Sequence, residues 1–348
     1  MSSKGKVAVA LSGGIDSSVA ALLLKQQGYE VVGITAKMVC DQNFEEVAQN
    51  AKNVADKLGI EHYVLDLSDV FKEKVIDYFE DMYKNAKTPN PCIVCNKTIK
   101  WGAILDYAIN ELKVDYMATG HYAKVTKEDG KTLLYPARDE QKDQLYYLFD
   151  LSQEQLSKTL FPLSGLIKNQ VKIIAFENDL PSKSSKESQD ICFIKKPMTT
   201  KKYILDMVEP QKGDFILQKT GKKLGEHEGF YQYTIGQRKG IGIAYAEPLY
   251  VLSIDAEKNI VYLGTEKELF RQKVLLENIN WQDEPTSFPL ECSAKIRYNM
   301  PAKKALAIKR GDKVELTFFE PVSAPASGQA GVIYHLRDGH LLGGGWIV

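Results

Sequence analysis

Val7-Ala8-Val9-Ala10-Leu11-Ser12-Gly13-Gly14-Ile15-Asp16-Ser17-Ser18 decides the fold of this chain. The apolar run Val7 to Leu11 reads as a buried parallel strand, and Ser12-Gly13-Gly14 breaks it. Apolar residues then recur at helical spacing through Val19, Ala20, Leu22, Leu23 and Leu24, as far as Gly28. Strand, glycine turn and helix start together make an anion cradle. Glycines let the backbone approach a ligand, and the N–H groups of the first helical turn point at it. Ser12, Ser17 and Ser18 add hydroxyls. Asp16 would repel a bare phosphate, so it is expected either to cap the helix or to partner Mg²⁺ carried by the phosphates.

Many sheet proteins place two glycines at such a turn and bind nothing there, but this spacing is more specific. It is neither Gly-x-x-x-x-Gly-Lys-Ser/Thr nor Gly-x-Gly-x-x-Gly. It resembles the Ser-Gly-Gly-x-Asp-Ser PP-loop of the ATP pyrophosphatase families. That resemblance implies cleavage of ATP between its α and β phosphates, with pyrophosphate held in the loop and AMP passed to an oxygen.

The 348 residues exceed one ordinary core, so two or three domains are expected. With 44% apolar and 26% charged residues the composition is that of a water-soluble protein. No apolar run is long enough to span a bilayer, and no secretory leader is visible, so a cytoplasmic protein with reduced thiols and no membrane partner is expected. Lys plus Arg balance Asp plus Glu at 45 each, which gives no global argument for nucleic acid. Basic residues do cluster locally, at Lys183, Lys186, Lys195, Lys196, Lys201 and Lys202, and again at Lys295, Arg297, Lys303, Lys304, Lys309 and Arg310.

Residues 1–200 read as an α/β domain with a parallel sheet. Strands are expected near 30–39, 60–67 and 115–119, with helices between them. Ligands in such sheets lie beyond the carboxyl ends of the strands, so Thr119-Gly120-His121-Tyr122 is expected to share a crevice with the first loop. Lys87 to about Asn96, with Pro89 and Pro91, is expected to be a loop. Leu180 to Pro197, rich in Ser and Lys, is a second irregular stretch. Residues 201–268 read as a small β-rich central domain. Period-two stretches at 290–298, 313–319 and 331–334 suggest an antiparallel barrel over 269–348.

Cys40 and Cys292 fit as small buried hydrophobes. Cys92, Cys95 and Cys192 fall on expected loops, where core thiols are out of place. Lys97 and Lys195 are placed to lower a thiolate pKa there.

Seven stretches in order then resemble one family, the bacterial tRNA-specific 2-thiouridylases. They are Ala10 to Ser17; Thr88-Pro89-Asn90-Pro91 with Cys95-Asn96-Lys97; Ala118 to Ala123; Lys142 to Tyr146; Ser188 to Phe193; Tyr233 to Gly240; and Lys295 to Tyr298. The resemblance implies an adenine nucleotide alpha hydrolase-like sheet domain, a central domain and a C-terminal β-barrel. It implies ATP with Mg²⁺ against Ala10, Leu11, Ser12, Gly13, Gly14, Ile15, Asp16 and Ser17, with Met38 and Gly120 near the adenosine. Cys192 would carry a persulfide delivered by a sulfur-relay protein or a cysteine desulfurase, and Cys95 would be the second catalytic thiol. Asn90, Pro91 and Cys92 would face the target uridine. His121, Lys142, Asp143, Gln144, Arg297, Tyr298 and Gln329 would contact tRNA, the wobble-uridine tRNAs for Lys, Glu and Gln. The family's commoner pattern has Asp where this chain has Cys92. Three cysteines, Cys92, Cys95 and Cys192, also resemble the ligand set of tRNA thiolases that hold a [4Fe–4S] cluster.

Two rival classes share single features. A small-molecule PP-loop ligase needs the ATP loop but not paired loop cysteines or a basic barrel. A non-catalytic tRNA-binding protein needs no intact Ser-Gly-Gly-x-Asp-Ser loop.

Overall fold

The computed structural model describes residues 4–39, 44–184, 191–194 and 197–348. Cys40, Lys186, Ser188-Gln189-Asp190, Lys195 and Lys196, singled out above, lie outside the described residues. The chain opens with β1 (Lys6–Ala10), α1 (Ile15–Gln26), β2 (Glu30–Lys37), α2 (Phe44–Leu58) and β3 (Glu61–Asp66). A continuous helical stretch follows, α3 (Ser68–Phe71), a π-helical segment Lys72–Ile76 and α4 (Asp77–Lys84). A second runs as α5 (Pro91–Cys95), π-helix Asn96–Ile104 and α6 (Leu105–Asn110). Then come β4 (Tyr116–Ala118), the hairpin β5 (Lys124–Glu128) and β6 (Lys131–Tyr135), α7 (Gln153–Ser157), β7 (Thr159–Leu160) and α8 (Lys168–Glu177).

The sheet order β3-β2-β1-β4-β7 is parallel throughout. The chain moves outward from β1 to β3 and then returns to the other side of β1. The topological switch point is therefore between β1 and β4, where the loops after both strands open a crevice. Val7, Val9 and Leu11 pack on one core and Ala8 on another, so the strand is apolar on both faces.

The Pro-rich segment corrects one expectation. Pro91 starts a helix rather than ending a loop. Proline at the first helical position loses no hydrogen bond and presets φ. Cys92 and Cys95 thus stand three residues apart on a helix.

The central unit has α9 (Thr200–Met207) and the strands β8 (Gly213–Leu217), β9 (Lys222–His227), β10 (Tyr250–Asp255) and β11 (Ile260–Gly264), ordered β10-β11-β8-β9. Six antiparallel strands then close a barrel: β12 (Phe270–Trp281), β13 (Leu290–Lys295), β14 (Lys303–Arg310), β15 (Lys313–Ser323), β16 (Ala330–Tyr334) and β17 (Leu341–Ile347). Cys292 is buried inside it.

The barrel shares a core with the sheet domain. Ala330, Val332, Tyr334 and Leu341 pack into the cluster that holds Trp101 and Phe149. Buried Gln282 donates to the carbonyls of Leu148 and Phe149, and Asn280 donates to those of Phe149 and Leu151. Among the described residues, no helix is long and apolar enough to cross a membrane.

Candidate active site

Leu11 N–H donates to Ile34 O at 2.8 Å, and the buried Thr35 hydroxyl donates to Leu11 O at 2.8 Å, so β2 pins the start of the loop. Gly13 takes φ +71°, a left-handed conformation that a side chain would strain, and an added Cβ would lie 3.0 Å from Asn50. Gly14, not Asp16, caps α1. The Ser17 and Ser18 hydroxyls both donate to Gly14 O, and Ser17 Oγ lies 3.2 Å from Ser12 Oγ. Met38, half-buried, follows the carboxyl end of β2.

Asp16 is neither cap nor open carboxylate. Lys168 Nζ on α8 lies 2.7 Å from each of its oxygens, and the Tyr122 hydroxyl donates to Oδ1 at 2.8 Å. The Lys168 side chain is only 9% exposed. Both carboxylate oxygens are engaged, so the expectation that Asp16 is free to take Mg²⁺ does not fit this arrangement. Lys168, 152 residues away, carried no local sequence signal.

Gly120 seats the second loop against the first. A Cβ there would lie 2.8 Å from Asp16 C and Ser17 N. Gly120→Ala must therefore move the first turn of α1, at about 1–3 kcal/mol for overpacking. We expect the KM for ATP to rise about tenfold or more, with the melting temperature lowered by only the several degrees that this overpacking costs and the chain still folded. An unchanged KM would separate this turn from the nucleotide.

His121 is buried. Its Nδ1 lies 2.7 Å from Thr119 Oγ1, and its Nε2 lies 3.4 Å from Lys100 Nζ. Burial and then the Lys100 charge push its pKa well below the usual value. A neutral ring accepts from Lys100 and donates to Thr119. His121 thus joins the second loop to the segment that carries the thiols rather than presenting itself at the surface.

Lys100 comes five residues after Cys95 in the π-helical segment, and its charge acts on all three thiols. Cys92, Cys95 and Cys192 are free thiols; Cys92 and Cys192 raise the pKa of Cys95, and Cys92 that of Cys192, which places the three in one neighbourhood. Cys92 and Cys192 are exposed and Cys95 is buried. Phe193 anchors Cys192, edge-on to Phe71, Phe79 and Tyr203 with centroids 6.0, 5.2 and 5.9 Å away.

The expected low thiol pKa is corrected. Desolvation raises all three, since even Cys92 and Cys192, whose residues keep a solvent-exposed face, are crowded by protein atoms, and it pushes buried Cys95 up to about 12 against the weaker pull of Lys100. Lys97 does not serve them; it pairs with Asp150 at 2.9 Å. Because the folded chain favours the neutral thiol, the reactive thiolate of Cys95 grows tenfold per pH unit with no plateau below about pH 11. Iodoacetamide labelling of the free enzyme, read by peptide mass spectrometry from pH 7 to 10, is expected to show that slope. A plateau near pH 8.5 would refute it.

Other residues expected to meet tRNA are engaged within the chain. Asp143 accepts from Ala137 N and Leu145 N, and Gln144 Oε1 accepts from Tyr122 N. Gln329 donates to Thr88 O and Pro89 O, holding the segment ahead of Asn90. Arg297 donates to the carbonyls of Ile235 and Ala324. Lys303, Lys309 and Arg310 pair with Glu320, Glu284 and Glu315. Asn90 and Pro91 are buried beside exposed Cys92. Tyr298 faces Tyr147 at 4.5 Å and 35°, and Lys142 acts on Tyr298 electrostatically. The Tyr147 phenol, its pKa raised chiefly by burial and then by the nearby Cys92, is an aromatic neighbour that the sequence pattern did not single out.

A parallel sheet with a glycine turn opening a helix at its switch point defines the HUP class of nucleotide-using domains, here with three thiols near Lys100, which contacts His121 of the second loop. Residues 5–196 match the family described as the tRNA methyl transferase HUP domain, 201–265 its PRC-barrel domain, and 271–347 the aminomethyltransferase beta-barrel domain. The tRNA-specific 2-thiouridylase MnmA of Clostridium acetobutylicum is 42% identical over 99% of this chain and 99% of its own. That of Carboxydothermus hydrogenoformans is 43% identical over 98% and 97%. The chain belongs to the tRNA-specific 2-thiouridylase family. Two of the domain descriptions speak of methyl transfer, whereas the full-length relatives are named for thiolation; a group of three neighbouring thiols agrees with the relatives. A solved U34-tRNA thiolase from Methanococcus maripaludis with its [4Fe–4S] cluster is 22% identical, covers 55% of this chain and 61% of its own, and has TM-score 0.37. That likeness is too loose to transfer the cluster.

Proposed function

We propose that this enzyme thiolates C2 of the tRNA wobble uridine at the expense of ATP, giving 2-thiouridine, AMP and pyrophosphate. The observation that carries this reading is the convergence of Cys92, Cys95 and Cys192 on Lys100, which contacts His121 beside the cradle. A carbonyl oxygen is a poor leaving group, and adenylation at C2 turns it into AMP. The cradle from Ala10 to Ser17 holds the phosphates of ATP with their Mg²⁺, and its N–H groups meet the charge that develops on pyrophosphate. Met38 and Gly120 border the adenosine.

Cys192 carries the persulfide. Its terminal sulfur bonds to C2 as AMP leaves. Cys95 thiolate then attacks Cys192 Sγ, the old S–S bond breaks toward the base, and a Cys95–Cys192 disulfide remains. Two equivalents of an external thiol, oxidised to its own disulfide, restore both cysteines. A persulfide S–H is more acidic than a thiol S–H, so a site that keeps resting thiols neutral still ionises its loaded sulfur.

Asn90, Pro91 and Cys92 border the uridine, which leaves its stack to reach them. His121, Lys142, Asp143, Gln144, Arg297, Tyr298 and Gln329 form or brace the tRNA face, with the tRNAs for Lys, Glu and Gln as substrates. The sulfur comes from a relay protein or a desulfurase, in the cytoplasm. The units divide near residues 200 and 268.

One assay tests the reading: ATP, a persulfide-generating desulfurase and unmodified tRNA, with nucleosides read by mass spectrometry. Appearance of 2-thiouridine with one pyrophosphate each supports it. Pyrophosphate release with no thionucleoside would sink it.

A further inference from the structure

Away from the crevice, the turn between β16 and β17 gathers His335, Asp338 and His340, two of the chain's five histidines and a carboxylate. Asp338 Oδ1 lies 2.7 Å from His335 Nδ1 and 2.8 Å from His340 Nδ1. One ligand atom from each of the three residues falls within 4.8 Å of the others, the one such trio of His, Cys, Asp or Glu among the described residues. Backbone holds the trio in place. His335 N donates to His340 O at 2.8 Å, and Gly339, at φ +71°, donates to His335 O at 3.1 Å.

The far side of the buried His340 ring fixes its tautomer. Nε2 lies 3.3 Å from Asp283 Oδ2, and Asp283 Oδ1 accepts from Lys131 Nζ at 2.7 Å. A carboxylate at that distance accepts from Nε2–H. On the other side of the ring, Nδ1 lies 2.8 Å from Asp338 Oδ1, which also accepts from His340 N at 3.2 Å, so a proton or a metal cation must lie between that ring nitrogen and the carboxylate. A metal-bound histidine is commonly held in this way, its second nitrogen donating to a carboxylate. Two imidazoles and one carboxylate suit Zn²⁺ and neighbouring divalent transition ions, with a position left for water. Tetrahedral bonds of about 2.1 Å set ligand atoms roughly 3.4 Å apart. The two N···O contacts, now 2.7 and 2.8 Å, would therefore open by about 0.6 to 0.7 Å, which side-chain rotations supply at this turn.

We propose that His335, Asp338 and His340 form a divalent transition-metal site, oriented by Asp283, which fastens the barrel to the sheet domain. The fastening follows from the neighbours. His340 packs on Tyr135 at the end of β6 at 5.5 Å, Pro136 lies 3.4 Å from the Cβ position of Gly339, and Lys131 of β6 holds Asp283.

The test uses the full-length chain without an affinity tag, treated with chelator, in a Cys92→Ser/Cys95→Ser/Cys192→Ser background so that those thiols bind nothing. Zn²⁺ is titrated calorimetrically and Co²⁺ by its visible absorption. One equivalent of Zn²⁺, a Co²⁺ band without sulfur charge transfer and a raised melting temperature are expected. His335→Ala and His340→Ala are expected to remove that equivalent, and Asp283→Asn to weaken it roughly 10- to 100-fold. The half-exposed His335 makes its variant the one that keeps the fold. No bound Zn²⁺, meaning a cluster closed by protons alone, overturns the site. So does an equivalent that survives in both histidine variants.

Discussion

Lys168→Met is expected to lower tRNA-dependent pyrophosphate release about 100-fold. The Lys168 ammonium touches both oxygens of Asp16 at 2.7 Å, with its side chain 9% exposed, while the Asp16 side chain is 30% exposed. Removing one partner of a buried pair costs about 3–5 kcal/mol, because the other charge stays behind. That cost falls on the fold, and partial access of water to Asp16 trims it; the roughly 100-fold expected in rate is a separate barrier change of about 2.7 kcal/mol, from a misplaced first turn and an unneutralised carboxylate at the phosphates. The stranded carboxylate then stands in the first turn of α1, where phosphate oxygens are to bind. Asp16→Asn in the same chain removes the stranded charge and is expected to return at least tenfold of the loss. The coupling energy of the double-mutant cycle measures the pair itself. If the two losses simply multiply, or if Lys168→Met alone releases pyrophosphate at the full rate, the pair has no part in holding ATP. Melting temperatures of the three variants separate this from unfolding.

The pair also marks where sequence reading ends. β1 and β2 were legible because buried parallel strands are apolar on both faces, and α2 because its buried residues recur at helical spacing; β3, a half-exposed edge strand, was legible only from its β-prone run between Gly59 and Ser68. The barrel was legible from period-two stretches between turns. Lys168 and Lys100 were not. Each meets its partners across the fold, Asp16 at 152 residues' separation and His121 at 21, and neither stands in a pattern that says so. Pro91 misled for a local reason: two nearby prolines suggest a loop, yet the second one opens a helix. Arg297 was legible as a motif residue, but not as a donor to two carbonyls that ties the Ile235 loop to the barrel. The thiols were legible as a group. Their direction of titration was not, since it depends on burial that only the packed fold creates.

The larger effect is expected at the cysteines. Cys95→Ser and Cys192→Ser should each reduce 2-thiouridine formation by roughly 1,000-fold or more, since a serine neither carries nor accepts the sulfur. Loss at either position is common to a persulfide route and to a cluster route, so Cys92 is the residue that separates them. Its thiol is exposed on α5, Lys100 acts on it, and the Tyr147 phenol is nearby. On the persulfide route Cys92 borders the base without transferring sulfur. Cys92→Asp then restores the commoner family pattern, and Lys100 offsets the new carboxylate. Thiolation within about tenfold of the parent is expected, a change of about 1.4 kcal/mol in the barrier. On the cluster route Cys92 is a thiolate ligand, and a carboxylate is a poor substitute on an iron–sulfur centre. Iron and acid-labile sulfide, measured on protein purified without air, are expected to be far below stoichiometric in the parent. A Cys92→Asp chain that is folded, iron-free and inactive, beside an iron-loaded and active parent, would overturn the persulfide route.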